Sequence, residues 1–375
     1  MNPFFNRSRL LVPFLFAAMC LCDISFAQDN SSPQPLFLAG RHPEIASKAG
    51  SANLTSWKGG FTDRTGVKRH FIMVGTDPAT SNRTTTVPVE IIPIKLIYGP
   101  NNGKRTFDPL KDRLPDGRTV LQMVLASPIF KSNVDFVQGG TDIGKTQYID
   151  AFQRANFWGK NVQKNNRYHV LLGKPTVLPE QTLTVPESLG HVIVNPISHH
   201  GLIGTFDPNT MDSAIQDYIK KFDQIQPNTL PIFLTYDIYL GGPDMGSAST
   251  CGCELGYHFF NGKPITGQTY VYTTSVDQGK LEAGEDVSTL SHEVGEWMDD
   301  PFFGSNTVCP GGQLEVGDPL VHHPNFGTFP YKVGNFTYHL QSLVFLGYFG
   351  APRKTDLHRW LSFQNDMHHE ACPAQ

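Results

Sequence analysis

The residues with the clearest chemical potential lie in the stretch STLSHEVGEWMDDP, residues 288–301. At about 100° of rotation per residue, His292 and Glu296 lie about 40° apart on a helix, and Glu293 lies about 100° from His292. Side chains at positions i and i+4 are close enough to share a ligand. A His-Glu-x-x-His helix is typical of zinc hydrolases, and here Glu296 stands at the second histidine position. We therefore expect His292 and Glu296 to bind Zn²⁺ or another divalent cation.

A third ligand must come from outside this helix. In QLEVGDPL, Glu315 follows Glu296 by nineteen positions, and Asp318 follows three residues later. A glutamate about twenty residues downstream completes the zinc site of thermolysin-like enzymes. Glu315 is the first candidate for the third ligand and Asp318 is the second. The alternative for each is a surface carboxylate or a turn former.

An ordinary amphipathic helix with a solvated acidic face would explain the same stretch, because a His-Glu-x-x-Glu match arises easily by chance. Two features favour a metal site. Gly295 in mid-helix costs about 1 kcal/mol relative to alanine, which is understandable if another chain segment approaches closely there. The helix also crowds four carboxylates into eight consecutive residues, and a cation would relieve their repulsion. These carboxylates belong to Glu293, Glu296, Asp299 and Asp300.

Glu293 is the candidate general base, because it is adjacent to both helix ligands. Tyr257 and His258, in the stretch GYHFF, could stabilise an oxyanion, although packing and capping are the commoner roles of such a pair. Two carboxylates and one imidazole neutralise Zn²⁺ formally, and a less electrophilic metal acidifies its water less. The ligand set therefore predicts a slow enzyme, a site for a harder ion or a non-catalytic descendant. Weaker candidates are the histidine pairs His199-His200 and His322-His323, since such pairs are usually solvated.

The elements that must position these side chains follow an α+β pattern. Strands are predicted at 84–99, 168–173, 191–197, 230–240 and 269–276, and helices at 146–158, 210–222 and 286–299. Two prolines within 84–99 indicate an edge or bulged strand. The stretch 249–264 is predicted to be a cysteine-bearing loop. We expect a β-rich region at 61–190 and, at 191–375, a metal-binding domain with a mixed sheet and the site helix.

Residues 1–27 have the features of a secretory signal peptide. Two arginines precede an apolar run that is too short to span a membrane comfortably, and Ser25 and Ala27 suit a cleavage site. We therefore expect a secreted or periplasmic protein, with a mobile leader at 28–60 and no membrane span. The formal net charge of −4 and the lack of basic clusters argue against a nucleic-acid partner. A peptide or protein substrate is the partner that we expect.

Four cysteines follow the predicted signal peptide, at Cys251, Cys253, Cys309 and Cys372. An even number in an oxidising compartment predicts two disulfides. Cys251 and Cys253 are too close for an unstrained mutual bond, so each is expected to pair with Cys309 or Cys372. Zinc ligation is the less favoured alternative for these cysteines.

Four stretches of the sequence resemble the pattern of the plant Exordium-like, phosphate-induced proteins and of their exported bacterial relatives, which look like zincins. In chain order, these stretches are CGCELGYHFF, TYVYTTSV, LSHEVGEWMDDPF and LEVGDPL. The resemblance covers about residues 230–320. The family elements fall here on Gly256, Tyr257, His258, His292, Glu293, Glu296, Asp300, Pro301, Glu315 and Asp318. Plant members continue Asp-Lys-Cys, whereas Asp318 is followed by Pro319 and Leu320. The resemblance implies a zincin-like scaffold without certifying hydrolysis.

Two functions are compatible with these residues. The first is a secreted zinc-dependent hydrolase, above all a metallopeptidase. The second is a non-catalytic exported binding or signalling module on a zincin-like scaffold. Glu293 beside the ligands favours the hydrolase, because a structural site needs no general base. Glu296 in place of a histidine favours the binding module.

Overall fold

Strand-forming stretches dominate the part of the chain that the structure describes. This computed structural model describes residues 52–159, 162–163, 167–196, 201–241, 254–281, 285–309, 312–321, 323 and 325–366, all within one compact unit, Ser32–Gln375. The mixture of helices and a larger number of strands confirms the α+β class. The predicted signal peptide at 1–27 lies outside the described residues. So do Cys251, Cys253, Cys372, His199, His200 and His322.

The strands and helices have the following bounds. The first strands are β1 Ser56–Thr62, β2 Lys68–Val74, β3 Thr84–Val87, β4 Val89–Tyr98, β5 Thr106–Phe107, β6 Val134–Gln138, β7 Thr141–Thr146, β8 His169–Leu172 and β9 Thr176–Val177. The later strands are β10 Gln181–Val185, β11 Val192–Val194, β12 Leu202–Phe206, β13 Leu230–Tyr236, β14 Ile238–Leu240, β15 Gly256–Asn261, β16 Gln268–Ser275, β17 Thr328–Val333 and β18 Phe336–Gln341. The helices are α1 Val120–Leu125, α2 Tyr148–Asn156, α3 Pro208–Lys221 and α4 Ser288–Asp299. β1 begins at Ser56, so the last residues of the expected leader belong to it.

A mixed sheet forms the centre of the molecule, in the order β10, β4, β13, β16, β15. The first four strands are parallel to one another, and β15 pairs with β16 in the antiparallel direction. Every residue of β13 and β16 is buried, as expected for strands covered on both faces. The sheet includes strands from both sides of residue 190, so the regions expected at 61–190 and 191–375 share it.

β4 lies inside this sheet, and the expectation of an edge strand at 84–99 is wrong in this respect. Its neighbours are β13 and the short β5 on one side and β9 and β10 on the other. The carbonyl of Ile91 accepts from Leu178 on the β9 side, and residues two apart along a strand direct their backbone groups to the same side. The side of Pro93 that lacks an N–H donor therefore faces the gap between β9, which ends opposite Ile91, and β10, which starts opposite Ile94.

A strand also replaces part of the predicted loop at 249–264. Residues Gly256–Asn261 form β15, and they pair residue by residue with β16. Neighbouring side chains in a strand point to opposite faces of the sheet. Tyr257 and His258 therefore face different layers, which the loop prediction did not anticipate.

Helices cover both faces of the sheet near β15 and β16. On one face Tyr257 and Tyr270 contact Asp212 of α3. On the other face the indole nitrogen of Trp297, in α4, donates to the hydroxyl of Thr269 at 2.9 Å. α3 begins as predicted, with Asp207 accepting from the Thr210 amide at 2.7 Å and Pro208 in the first turn.

Candidate metal centre

All twelve residues of α4 are buried, so the interpretation of its polar side as a solvated acidic face is wrong. The helix packs between the β15–β16 edge of the sheet and β18 of the β17–β18 hairpin. His292, Glu293 and Glu296 each expose no more than 2% of their surface. Burying ionisable groups costs free energy unless partners compensate, so this helix requires polar partners or a cation.

The close approach expected at Gly295 is confirmed. A Cβ atom at this position would lie 2.6 Å from Cδ1 of Leu343, which belongs to the segment after β18. A side chain at residue 295 would therefore displace that segment. The glycine brings the chain after β18 against the site helix, and the amide of Gln341 donates to the hydroxyl of Ser291 at 2.9 Å.

One group of potential ligands comprises His292, Glu296 and Asp318. His292 Nε2 lies 3.2 Å from Glu296 Oε2 and 3.6 Å from Asp318 Oδ1. Two ligands each about 2.1 Å from a tetrahedral cation are about 3.4 Å apart, so these separations suit one cation. Asp318 is the most accessible of the three, with 39% of its side chain exposed.

Glu296 fixes the turn that carries Asp318. Its Oε1 atom accepts from the amides of Gly317 at 3.0 Å and Asp318 at 3.3 Å. The other oxygen, Oε2, faces His292. The two oxygens of this carboxylate therefore have different roles. Oε1 accepts the hydrogen bonds that hold the turn, and Oε2 faces the potential cation position.

Asp299 and Asp300 have structural roles. Asp300 accepts from the amides of Gly304 at 2.9 Å and Leu314 at 3.3 Å, and also from the hydroxyl of Ser305. These bonds hold both ends of the segment that leads from α4 to Glu315. Asp299 accepts from the side-chain amide of Gln153 in α2. Neither carboxylate belongs to a group of potential metal ligands among the described residues.

The structure brings the second candidate for the third ligand, Asp318, to His292, and it places the first candidate differently. Glu315 is half-buried, and its carboxyl group donates a hydrogen bond to the Glu296 carboxylate. It belongs to neither potential ligand group of the described residues. Glu315 therefore orients a ligand in this geometry, whereas Asp318 faces the cation position.

His258 joins the site from β15, as a member of a second group with Glu293 and Glu296. Its Nδ1 atom lies 3.6 Å from Glu293 Oε2 and 3.8 Å from Glu296 Oε2. The imidazole packs on the ring of Phe303, with 4.8 Å between ring centroids. His258 is a candidate oxyanion stabiliser on sequence alone, and its distances to two carboxylates make it a potential metal ligand as well.

Tyr257 is not brought to the site. Its hydroxyl donates to Asp212 Oδ1 at 3.0 Å, on the face of the sheet that α3 covers. The ring stacks on Tyr272, with centroids 5.3 Å apart. Tyr257 therefore stabilises the opposite layer and has no contact with the α4 carboxylates through these groups.

Glu293 lies against the edge strand of the sheet. A Cβ atom at Gly256 would be 2.7 Å from Glu293 Oε1 and 2.6 Å from Cγ2 of Thr289, so the glycine lets α4 approach β15 closely. Oε2 faces His258, whereas Oε1 has no hydrogen-bond partner among the described residues. An unpartnered oxygen on a buried carboxylate is the kind of group that binds a cation or a water molecule in the functional state.

Burial determines the protonation of the site in the absence of a cation. It lowers the pKa of His292 to about 4 and that of His258 to about 3, so both imidazoles are neutral at neutral pH and keep a lone pair for a metal. Burial raises the pKa of Glu293, Glu296 and Glu315 well above the usual value, and the neighbouring carboxylates add to the effect. A divalent cation would reverse this repulsion.

Comparison of the chain with protein-family models, with curated proteins and with solved structures finds no match. The resemblance to Exordium-like proteins therefore remains an expectation based on the motifs alone. Cys309 takes part in a disulfide, and every other cysteine of the chain lies outside the described residues. No helix in the described ranges is long and apolar enough to cross a membrane.

Proposed function

We propose that this protein is a metal-dependent hydrolase, with a peptidase as the first reaction class to test. The convergence of His292 Nε2, Glu296 Oε2 and Asp318 Oδ1 carries the proposal. The donor set is one neutral imidazole and two carboxylates, which suits Zn²⁺ or another divalent cation. Gly317 supports this fit, because it leaves room for the His292 ring at the turn that carries Asp318.

The surrounding fold supports a zincin-like scaffold as part of this proposal. The site helix α4 packs on a mixed sheet, beside an antiparallel edge strand that supplies His258. The downstream carboxylate arrives on a turn that Glu296 itself fixes. We also propose that the protein is exported, because residues 1–27 have the pattern of a secretory signal peptide.

A divalent cation in this site would polarise the scissile carbonyl and acidify the attacking water. Glu293 is placed to accept the proton of that water, because it is adjacent in the chain to His292 and carries a buried oxygen without a hydrogen-bond partner among the described residues. The same carboxyl group then delivers the proton to the leaving amine. Two carboxylate ligands would reduce the electrophilicity of the cation, so we expect slow turnover.

The test combines metal analysis with substrate profiling. Elemental analysis of the purified protein should find a divalent metal, and mass spectrometry of a digested peptide library should find new termini. Glu293→Gln should keep the cation bound by His292, Glu296 and Asp318 and lower the rate by about 10²-fold or more, the usual scale for losing a general base. Glu187→Gln is the matched control, because Glu187 is exposed in the connection between β10 and β11. Unchanged cleavage by Glu293→Gln would refute the assignment.

The alternative of a non-catalytic binding module has one specific observation in its favour, which is the acidic residue at position 296. A parent protein that keeps its metal and fold but cleaves nothing in a broad library would support that alternative. If the purified protein binds no divalent metal, the site is not a metal centre, either in a hydrolase or in a binding module.

A further inference from the structure

We propose that the site holds a second divalent cation, bound by His258, Glu293 and Glu296, with Glu296 shared between both cations. This inference rests on the proposed function, in which His292, Glu296 and Asp318 bind the first cation. It adds a metal position and a new role for the edge strand of the sheet, which supplies His258.

The geometry of the second group matches that of the first. His258 Nδ1, Glu293 and Glu296 offer ligand atoms that all lie within 4.8 Å of one another. Nδ1 is 3.6 Å from Glu293 Oε2 and 3.8 Å from Glu296 Oε2. Ligand atoms of a tetrahedral cation are about 3.4 Å apart, so small side-chain movements would complete the site.

Glu296 Oε2 is the atom common to both groups. The backbone amides of Gly317 and Asp318 occupy Oε1, and Oε2 faces both His292 and His258. Two cations that each bind this oxygen at about 2.0–2.2 Å lie at most about 4.4 Å apart. Cations of two-metal hydrolases are separated by about 3.5–4 Å, which is within that limit.

Glu293 provides an independent observation that points to a ligand. Its surface is 1% exposed, and Oε1 has no hydrogen-bond partner among the described residues. A buried carboxylate in this state is costly, because it has lost water without gaining a compensating contact. The ring of Phe303 and the close approach at Gly256 hold His258 and Glu293 in facing positions.

The position of Glu293 supports two cations rather than one. One divalent cation balances Glu296 and Asp318 and leaves the Glu293 carboxylate, which belongs to the second group, without a counter-charge. The two histidines fall into different groups, so a single cation would have to draw them together by larger movements than the two-cation arrangement needs.

A second cation changes the expected chemistry of the site. Paired cations can stabilise both the attacking and the leaving atoms of a hydrolysis, which offsets the weak electrophilicity of a single neutralised cation. Glu293 would bind the second cation through its buried carboxylate, in which Oε2 faces His258 and Oε1 has no hydrogen-bond partner among the described residues.

Metal stoichiometry tests this proposal without relying on activity. Metal-free protein is titrated with Zn²⁺ alone, and the bound metal is counted after dialysis. We expect two equivalents for the parent, one for His258→Ala and one for His292→Ala. His358→Ala is the matched control, because His358 is exposed and its side chain contacts Thr141 and Trp360. If His258→Ala fails to fold, His258→Gln keeps most of the side-chain volume in the same position.

Electron paramagnetic resonance of the parent loaded with Mn²⁺ gives a second readout. Two Mn²⁺ ions bridged by Glu296 should show an exchange-coupled spectrum, which isolated ions do not. One equivalent in the parent, with complete loss in both His258→Ala and His292→Ala, would show a single cation and overturn the inference while leaving the proposed function intact. No binding to the parent would overturn both.

Discussion

Gly317 lies directly against the imidazole of His292. A Cβ atom on Gly317 would be 2.2 Å from Nδ1 of His292 and 2.6 Å from Cε1, closer than real atoms approach. The same glycine donates its amide to Glu296 at 3.0 Å. One backbone position therefore determines both the ring orientation of one potential ligand and the carboxylate orientation of another.

Gly317→Ala should accordingly weaken metal binding. The methyl group must displace the His292 ring, and loss of ligand orientation typically lowers metal affinity by about 10–100-fold. Isothermal titration of metal-free protein with Zn²⁺ measures the effect. Gly99→Ala is the control, because the nearest atom to a Cβ at Gly99 is an ordinary 3.7 Å away. Equal affinities of the parent and Gly317→Ala would contradict the positioning role.

Gly295→Ala should destabilise the protein, although an exposed helical glycine replaced by alanine gains about 1 kcal/mol. The added methyl group overlaps Leu343, and overpacking of this kind costs about 1–3 kcal/mol. Chemical denaturation measures the free energy of unfolding. The double variant Gly295→Ala with Leu343→Ala removes the overlap, so the cost of the two changes together should be smaller than the sum of the single costs. Strict additivity would count against the contact.

The parts of the site that helix periodicity controls were predictable, because that periodicity is local. His292 and Glu296 share one face for this reason, and the mid-helix glycine correctly indicated a close neighbour. His258 reaches the carboxylates only through the pairing of β15 with β16, which is a long-range contact. Because residues 249–264 were interpreted as a loop, the alternation of strand side chains that separates Tyr257 from His258 was not predicted.

The choice between Glu315 and Asp318 likewise depends on a turn whose geometry comes from backbone bonds to Glu296. Spacing along the chain carries no information about which of two carboxylates faces inward. The interior position of β4 was missed because prolines usually mark edge strands. Here Pro93 faces the gap between two short neighbouring strands, β9 and β10. The N–H group that proline lacks is therefore not needed to pair β4 with either strand.

The stabilisation that a divalent cation provides should increase with pH. Burial raises the folded-state pKa of Glu293, Glu296 and Glu315. In the metal-free protein their contribution to stability is fully present below the unfolded pKa, which is about 4.5, and is lost as the pH rises through the folded pKa. A cation binds the ionised forms and releases protons. The difference in Tm between Zn²⁺-loaded and metal-free protein should therefore grow from about pH 5 to about pH 8.

Glu296→Gln is the control for this pH dependence. The glutamine oxygen can still accept from the amides of Gly317 and Asp318, whereas the anionic ligand is gone. Its Tm should respond little to Zn²⁺ at either pH. A metal-dependent Tm difference in the parent that stays constant or shrinks with rising pH would be inconsistent with coupled carboxylates at the site.

The assignment of the third ligand leads to opposite expectations for two neighbouring carboxylates. Asp318 Oδ1 lies 3.6 Å from His292 Nε2, so Asp318→Asn should lower Zn²⁺ affinity by about 10²-fold or more as a ligand is lost. Glu315 donates to Glu296, and the amide of Glu315→Gln can donate the same bond, so that variant should keep most of the affinity. Zn²⁺ titration of both variants at one pH decides between them. The reverse order of affinities would make Glu315 the third ligand.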